Sequence, residues 1–155
     1  MNVRKKLNLL LVLLLALSQM AYCQDSSQTR DGKENSTKIG LAGYCPVAYA
    51  KMGKAVPGDA KFASEHKGIV YHSSSAEAKK MFDKEPDTYI SAMPYKTWCA
   101  TGVAMGKKLE SDYTIYSKVE DKVYFFSSAD AKKMFDKDTK GFIKKADAAW
   151  PGLDN

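Results

Sequence analysis

Cysteine and histidine are scarce in this chain, which has three cysteines and two histidines among 155 residues. No CxxC pair occurs, and the cysteine spacing fits no zinc-finger pattern. A glycine-rich phosphate loop, clustered carboxylates and a Ser-His-Asp arrangement are also missing. These motifs mark the enzyme classes that are most easily recognised from a sequence. Because they are missing, we expect a protein that is not an enzyme.

Long apolar runs are absent except near the N-terminus, where residues 9–17 read LLLVLLLAL. Nine apolar residues are too few to span a bilayer as a helix, which needs about 20. Basic residues precede the run, and a plausible cleavage site ends at Cys23. We therefore predict a signal peptide over residues 1–23 and a periplasmic or secreted protein whose mature chain has no transmembrane span. A lipoprotein anchored at Cys23 is an alternative that the bulky Tyr22 disfavours.

The predicted signal peptide holds three of the 24 basic residues and none of the 18 acidic ones. Without it the net charge falls from +6 to +3, which gives little reason to expect nucleic-acid binding. Residues 24–38 then contain no apolar side chain and have nothing to bury. We predict a flexible linker over residues 24–40 and a single domain over residues 41–155.

The folded part carries one block twice. Residues 70–90 match residues 123–143 at 13 of 21 positions. In both copies β-branched and aromatic residues come first, serines follow, and apolar residues then recur at helical spacing. The pattern predicts an α+β fold, a small single domain with a duplicated strand–turn–helix unit.

The helix of each copy has a recognisable start. Ser74 and Ser127 each stand three residues before an acid, which is the spacing of a helix N-cap. Met81 and Met134 then fall on the apolar stripe, and we expect both in the core. Pro86 is expected to end the first helix.

His72 is the main polar difference between the copies, because Phe125 stands at its place in the second. A histidine bonded to nearby backbone is one interpretation, and a metal ligand is the other. Residues 88–108, between the copies, are predicted to form a long irregular connection of the kind that often makes a binding wall. The alternating residues 112–117 should pair with residues 122–126 as a hairpin.

Several stretches, in this order, resemble the exported bacterial branch of the YHS-domain family: GYCPVAYA, GIVYHSSSAEAKKMFDKEPDTY, WCATGVAMG, DYTIYSKVEDKVYFF and AAW. The resemblance covers residues 41–150. It implies a small α+β domain related to metal-binding treble-clef modules, which also occur attached to heavy-metal transporters. The chain has Ala48, Ser74 and Ala78 where the metal-binding branch has cysteines, so that the usual zinc or copper knuckle cannot form.

Cys45 and Cys99 lie in two landmarks of this family, which by resemblance border one cleft. A disulfide between them is one interpretation, since export favours it. A soft-metal site is another, in which Cys45 and Cys99 hold an ion, copper being the best fit, with His72, Met52, Met93 or Met105 as a third ligand. Two separate thiols packed as small hydrophobes are the third.

These interpretations lead to two predicted functions. The first is an exported YHS-type domain that binds a soft metal ion, copper above all, through its two cysteines. The alternative is a non-catalytic, disulfide-stabilised module that binds a small ligand or a partner protein. Its pocket would be lined by aromatic residues whose other possible role is core packing, namely Tyr44, Tyr49, Tyr95 and Trp98.

Overall fold

The computed structural model describes residues 38–154, which form a small α+β domain with two small sheets. The predicted signal peptide and most of the predicted linker lie outside the described residues. Lys38 and Ile39, which the sequence placed in the linker, pair with the first sheet. Within the described part of the chain, no helix has the length and apolar character needed to cross a membrane.

The first half, residues 38–91, contains a three-stranded sheet followed by two helices. The strands are β1 (Lys38–Ile39), β2 (Asp59–His66) and β3 (Ile69–Ser73). They lie in the order β1-β3-β2, with β3 parallel to β1 and antiparallel to β2. Short helical turns cover Gly40–Gly43 and Ala48–Met52. The two helices are α1 (Ala76–Lys84) and α2 (Pro86–Ser91).

The second half, residues 92–154, contains the predicted antiparallel hairpin, which the structure confirms. The connection before it is less irregular than predicted, because it includes a helical turn over Pro94–Thr97 and a short helix. The elements are α3 (Ala100–Ala104), β4 (Asp112–Val119), β5 (Lys122–Phe126), α4 (Ala129–Lys137) and α5 (Thr139–Leu153).

The helices α1 and α4 begin in the same way. Ser75 Oγ accepts a hydrogen bond from the backbone N–H of Ala78, and Ser128 Oγ accepts one from Ala131, both at 3.1 Å. Each cap lies one residue after the serine predicted from the sequence. As expected, the first helix ends just before Pro86, which begins α2.

The core consists of two clusters of buried side chains that meet at β5. Val123 and Phe125 belong to the first cluster, whereas Tyr124 and Phe126 belong to the second. Alternate residues of a strand point to opposite faces, so the two clusters lie on opposite faces of β5. All four side chains are at most 6% exposed, which explains why this strand is continuously apolar instead of alternating.

The apolar stripes predicted for α1 and α4 are only partly buried. Phe82 and Phe135 are buried in the first and second clusters respectively. Met134, however, is 44% exposed, and the prediction that it belongs to the core is wrong.

Each capped helix is also tied to its hairpin by a polar triad. In the first half, Asp83 accepts hydrogen bonds from Lys79 at 2.7 Å and from Ser64 at 2.5 Å. The second half has the same arrangement 53 residues later, made by Lys132, Asp136 and Ser117. The link between strand and helix is made by Ser64 with Asp83 and Lys79 in the first half, and by Ser117 with Asp136 in the second, where Lys132 bonds only Asp136 of its own helix.

Acidification should weaken the triads. The Lys79 and Ser64 hydrogen bonds lower the pKa of Asp83, and the Lys132 hydrogen bond is the largest cause that lowers the pKa of Asp136. A carboxylate with a lowered folded-state pKa stabilises the fold above its unfolded value, here 3.8, and that stability is lost as the pH falls through the folded value.

We therefore expect thermal unfolding at a nearly constant temperature from about pH 7 to pH 5 and a decline below about pH 4. The decline should be smaller in a variant carrying Asp83→Asn and Asp136→Asn. Asp121→Asn, in the exposed β4–β5 turn, is the matched control and should follow the wild type. An equal decline in the wild type and the double variant would show that other groups govern acid stability.

Candidate functional site

A groove of about 680 Å³ opens between the two halves of the domain. The first half contributes residues 38–42, part of the β2–β3 turn and Tyr71. The second half contributes Met93, residues 96–98 and the start of β4. The lining is mainly apolar and aromatic, with charged side chains on the rim, which is the usual composition of a small-molecule site.

Two turns with unusual backbone geometry form parts of the groove walls. Residues 41–43 have φ angles of 54°, 47° and 85°, and residues 95–97 have φ angles of 59°, 49° and 69°. Only one of these six residues is glycine, and a left-handed conformation costs other residues about 1–2 kcal/mol each. Such strain is imposed by the surrounding structure and is concentrated at ligand-binding sites.

The floor of the groove is built around Tyr71. Its side chain is 7% exposed, and no hydrogen-bond partner for its hydroxyl is found among residues 38–154. Gly40 makes room for the ring, because a Cβ at this position would lie 2.6 Å from Tyr71 Cδ1. Burial and then the neighbouring Tyr113 raise the pKa of Tyr71, so the phenol stays protonated at neutral pH.

The hydroxyls of Thr97 and Tyr113 form a hydrogen-bonded pair beside Tyr71. Thr97 Oγ1 donates to the backbone oxygen of Lys96 at 2.6 Å and lies 3.2 Å from the hydroxyl of Tyr113. Because the Thr97 proton is already used, Tyr113 donates in the contact between them. Ser111 also lines the groove, and its buried Oγ has no hydrogen-bond partner within the described residues.

Most of the charged groups on the rim neutralise one another. Asp87 Oδ1 lies 2.7 Å from Lys67 Nζ and 2.9 Å from His66 Nε2. Lys96 Nζ lies 2.6 Å from a carboxylate oxygen of Asp154. These pairs are solvent-exposed, so they shape the entrance and add little stability.

His72 and Tyr44 are brought together at a smaller neighbouring cavity of about 480 Å³. Gly43 and Gly58 also line it, and Ile39 belongs to both cavities. The imidazole of His72 makes no hydrogen bond within residues 38–154. The prediction that this histidine bonds nearby backbone is therefore not supported, and its role as a ligand or site residue stays a prediction.

The two cysteines are not brought together. Cys45 is fully buried in the first cluster and Cys99 in the second, on opposite faces of β5, and both are unpaired. The expectation that the two sulfurs meet, on which both the disulfide and the joint metal site depended, is therefore wrong for this structure. Of the three interpretations, two separate buried thiols is the one that agrees with the geometry.

The separation has a local cause, since each cysteine follows one of the two strained turns. The backbone N–H of Cys45 donates to Val56 and that of Cys99 donates to Leu109, both at 2.9 Å. Cys45 is thereby fixed within the first half and Cys99 within the second.

Within residues 38–154 no three His, Cys, Asp or Glu side chains are grouped closely enough to hold a metal ion. Cys45, Cys99 and His72 therefore form no common ligand set. Copper binding stays a prediction, without an assembled site in the described part of the chain.

The four aromatic residues predicted to line a pocket lie in different parts of the domain. Trp98 lines the groove, and Tyr44 lines the smaller cavity. Tyr49 and Tyr95 are core residues whose hydroxyls donate to the Tyr113 carbonyl and to Asp147 respectively. Trp98 and Tyr44 thus border two different cavities, whereas Tyr49 and Tyr95 do not, and a ligand pocket lined by Trp98 or Tyr44 stays a prediction.

Sequence reasoning missed Tyr71 and Tyr113, which form the floor of the groove. The strand pattern alone places Tyr71 on the side opposite to His72, but it does not show that this side is open to a ligand. Scans of protein-family models, curated proteins and solved structures gave no match to this chain. Its resemblance to the YHS-domain family rests on the sequence motifs and stays a prediction.

Proposed function

We propose that this protein is a non-catalytic module that binds a small, largely apolar ligand in the groove between its two halves. One observation carries the proposal: both turns of consecutive left-handed residues lie on the walls of this groove, one from each half. The fold holds strained backbone at this junction, as proteins do where a site must be kept in shape.

The composition of the groove supports the same function. Trp98, Tyr71 and Tyr113 offer flat apolar surfaces, and a small number of hydroxyls offer hydrogen bonds. His66 and Asp87 form a histidine–carboxylate pair on the rim, but Asp87 is shared with Lys67, and no hydroxyl or thiol among the described residues hydrogen-bonds to His66. This arrangement favours binding over catalysis.

The position of the groove is explained if the domain is a duplicated unit of the YHS type, which we propose as well. In its support, the hairpin irregularity between Asp59 and Ala63 recurs 53 residues later between Asp112 and Tyr116. The serine caps and the polar triads recur at the same distance along the chain. A site between two copies of one unit can take its walls from both. Export to the periplasm or outside the cell remains part of the proposal.

N-phenyl-1-naphthylamine, an uncharged apolar probe that fluoresces when it leaves water, tests the proposed function. We expect one saturable site per chain. Trp98→Ala should weaken the affinity about tenfold, since it removes an aromatic wall worth about 1.4 kcal/mol of contact. Trp150→Phe, which alters the other tryptophan outside the groove lining, is the control and should bind as the wild type does.

Circular dichroism of both variants establishes that they are folded before affinities are compared. Equal affinities in wild type and Trp98→Ala would place the probe elsewhere on the protein. The absence of saturable binding by the wild type would contradict the proposed function itself.

A further inference from the structure

The hydrogen-bonding capacity of the groove floor restricts the chemistry of its ligand, and the restriction rests on the function proposed above. Tyr71 supplies a hydrogen-bond donor. Its ring is buried against Phe82 at 5.2 Å between centroids, so the phenol is held in one position. Its hydroxyl has no acceptor among residues 38–154, and the proton is therefore available to a ligand.

Tyr113 supplies the complementary group. Its ring packs edge-on against Phe125 at 5.3 Å between centroids, which fixes it as well. Its proton goes to Thr97, because the proton of Thr97 is bonded to a carbonyl. The oxygen of Tyr113 keeps lone pairs, so this residue presents an acceptor while Tyr71 presents a donor.

No charged side chain accompanies these two phenols on the floor. Lys67, Lys96 and Asp87 are exposed and paired at 2.6–2.7 Å, and the other charged groove residues, Lys38 and Glu110, are also exposed, so none of the five is buried beside the phenols. Moving an ionised group to a floor without an opposite charge is costly, whereas a neutral polar group needs only hydrogen bonds. The floor therefore discriminates by charge as well as by shape.

We infer that the group of the ligand that reaches the floor is uncharged and both donates and accepts hydrogen bonds, as a hydroxyl or a primary amide on an apolar ring does. It accepts from the Tyr71 hydroxyl and donates to the Tyr113 oxygen. The apolar body lies against Trp98 and the side chains of the first half. The ligand class is accordingly small ring compounds with one neutral hydrogen-bonding substituent.

A series of three probes with one ring system tests this inference: naphthalene, 2-naphthol and 2-naphthoate. Dissociation constants are measured by ligand-observed NMR on the folded chain at neutral pH. We expect 2-naphthol to bind about tenfold more tightly than naphthalene, because it adds hydrogen bonds to both phenols. The ionised 2-naphthoate should bind no better than naphthalene.

Tyr71→Phe provides the residue-specific readout, since it removes the hydroxyl and keeps the ring. It should remove most of the advantage of 2-naphthol and leave naphthalene binding within about twofold of wild type. Gly40→Ala, which pushes the Tyr71 ring aside, should have a similar effect, and Gly152→Ala, where an added methyl meets no atom within 4 Å, should have none.

The outcomes separate the inference from the proposed function. If naphthalene and 2-naphthol bind in the groove equally well, or if 2-naphthoate binds most tightly, the inference is overturned and the ligand-binding function stands. If Tyr71→Phe leaves the preference for 2-naphthol intact, the inference is likewise overturned. If none of the three probes binds, the proposed function fails and the inference fails with it.

Discussion

Gly58→Ala is expected to lower the free energy of unfolding by about 3 kcal/mol, the upper end of the range for overpacking a dense site. Gly58 directly precedes β2, whose first residue, Asp59, pairs with Ser73 of β3, and its backbone N–H donates to Gly43 at 2.8 Å. A Cβ on Gly58 would lie 2.5 Å from the carbonyl carbon of His72, where a main-chain atom cannot move aside cheaply. The whole segment would therefore have to shift.

Urea denaturation followed by circular dichroism measures this loss. Gly152→Ala is the matched control, because it adds the same methyl group in open space on α5 and should not destabilise the protein. The segment around Gly58 also lines the smaller cavity, beside His72 and Tyr44. An unfolding free energy within about 0.5 kcal/mol of wild type would show that β3 and residue 58 are less tightly apposed than described.

Phe135→Ala should have a comparable or larger effect, about 3–5 kcal/mol, since it removes a large side chain from a closed core. Phe135 is fully buried and contacts the rings of Tyr124 and Phe126, with centroids 5.3 and 5.0 Å away. Little of the resulting cavity can close, because its neighbours are fixed on β5.

Met134→Ala, at the adjacent position, is the control for this prediction. Met134 is 44% exposed, so its truncation should change the unfolding free energy by about 0.5 kcal/mol or less. Differential scanning calorimetry of the two variants gives the comparison. Similar losses for both would mean that α4 is rotated about its axis relative to the structure.

The regular elements of the domain were largely predictable because they are set by local periodicity. The hairpin over residues 112–126 and the helix that ends before Pro86 follow from alternation and from proline chemistry. The first sheet was only partly recognised, since the polar strand β2 lacks an alternating pattern. The coarse α+β class followed correctly from these elements.

The site was less predictable for two physical reasons. The left-handed turns are occupied by residues such as Leu41, Ala42 and Lys96, which favour other conformations, so their sequence carries no signal for that geometry. Whether Cys45 and Cys99 come together depends on which face of β5 the segment around each cysteine covers. A pattern within one segment does not contain that information, and the resemblance to a family with a shared cleft pointed the other way.

The burial of β5 on both faces has a consequence for how the molecule opens. When the first half detaches, one face of the strand is uncovered, but the second cluster still covers the other face and the pairing with β4 is kept, so this opening does not release the β5 amides. Only global unfolding exposes them to exchange with solvent deuterium. The amides of Val123 to Phe126 should therefore be the slowest to exchange in the chain, while those of β1, a two-residue edge strand, exchange early.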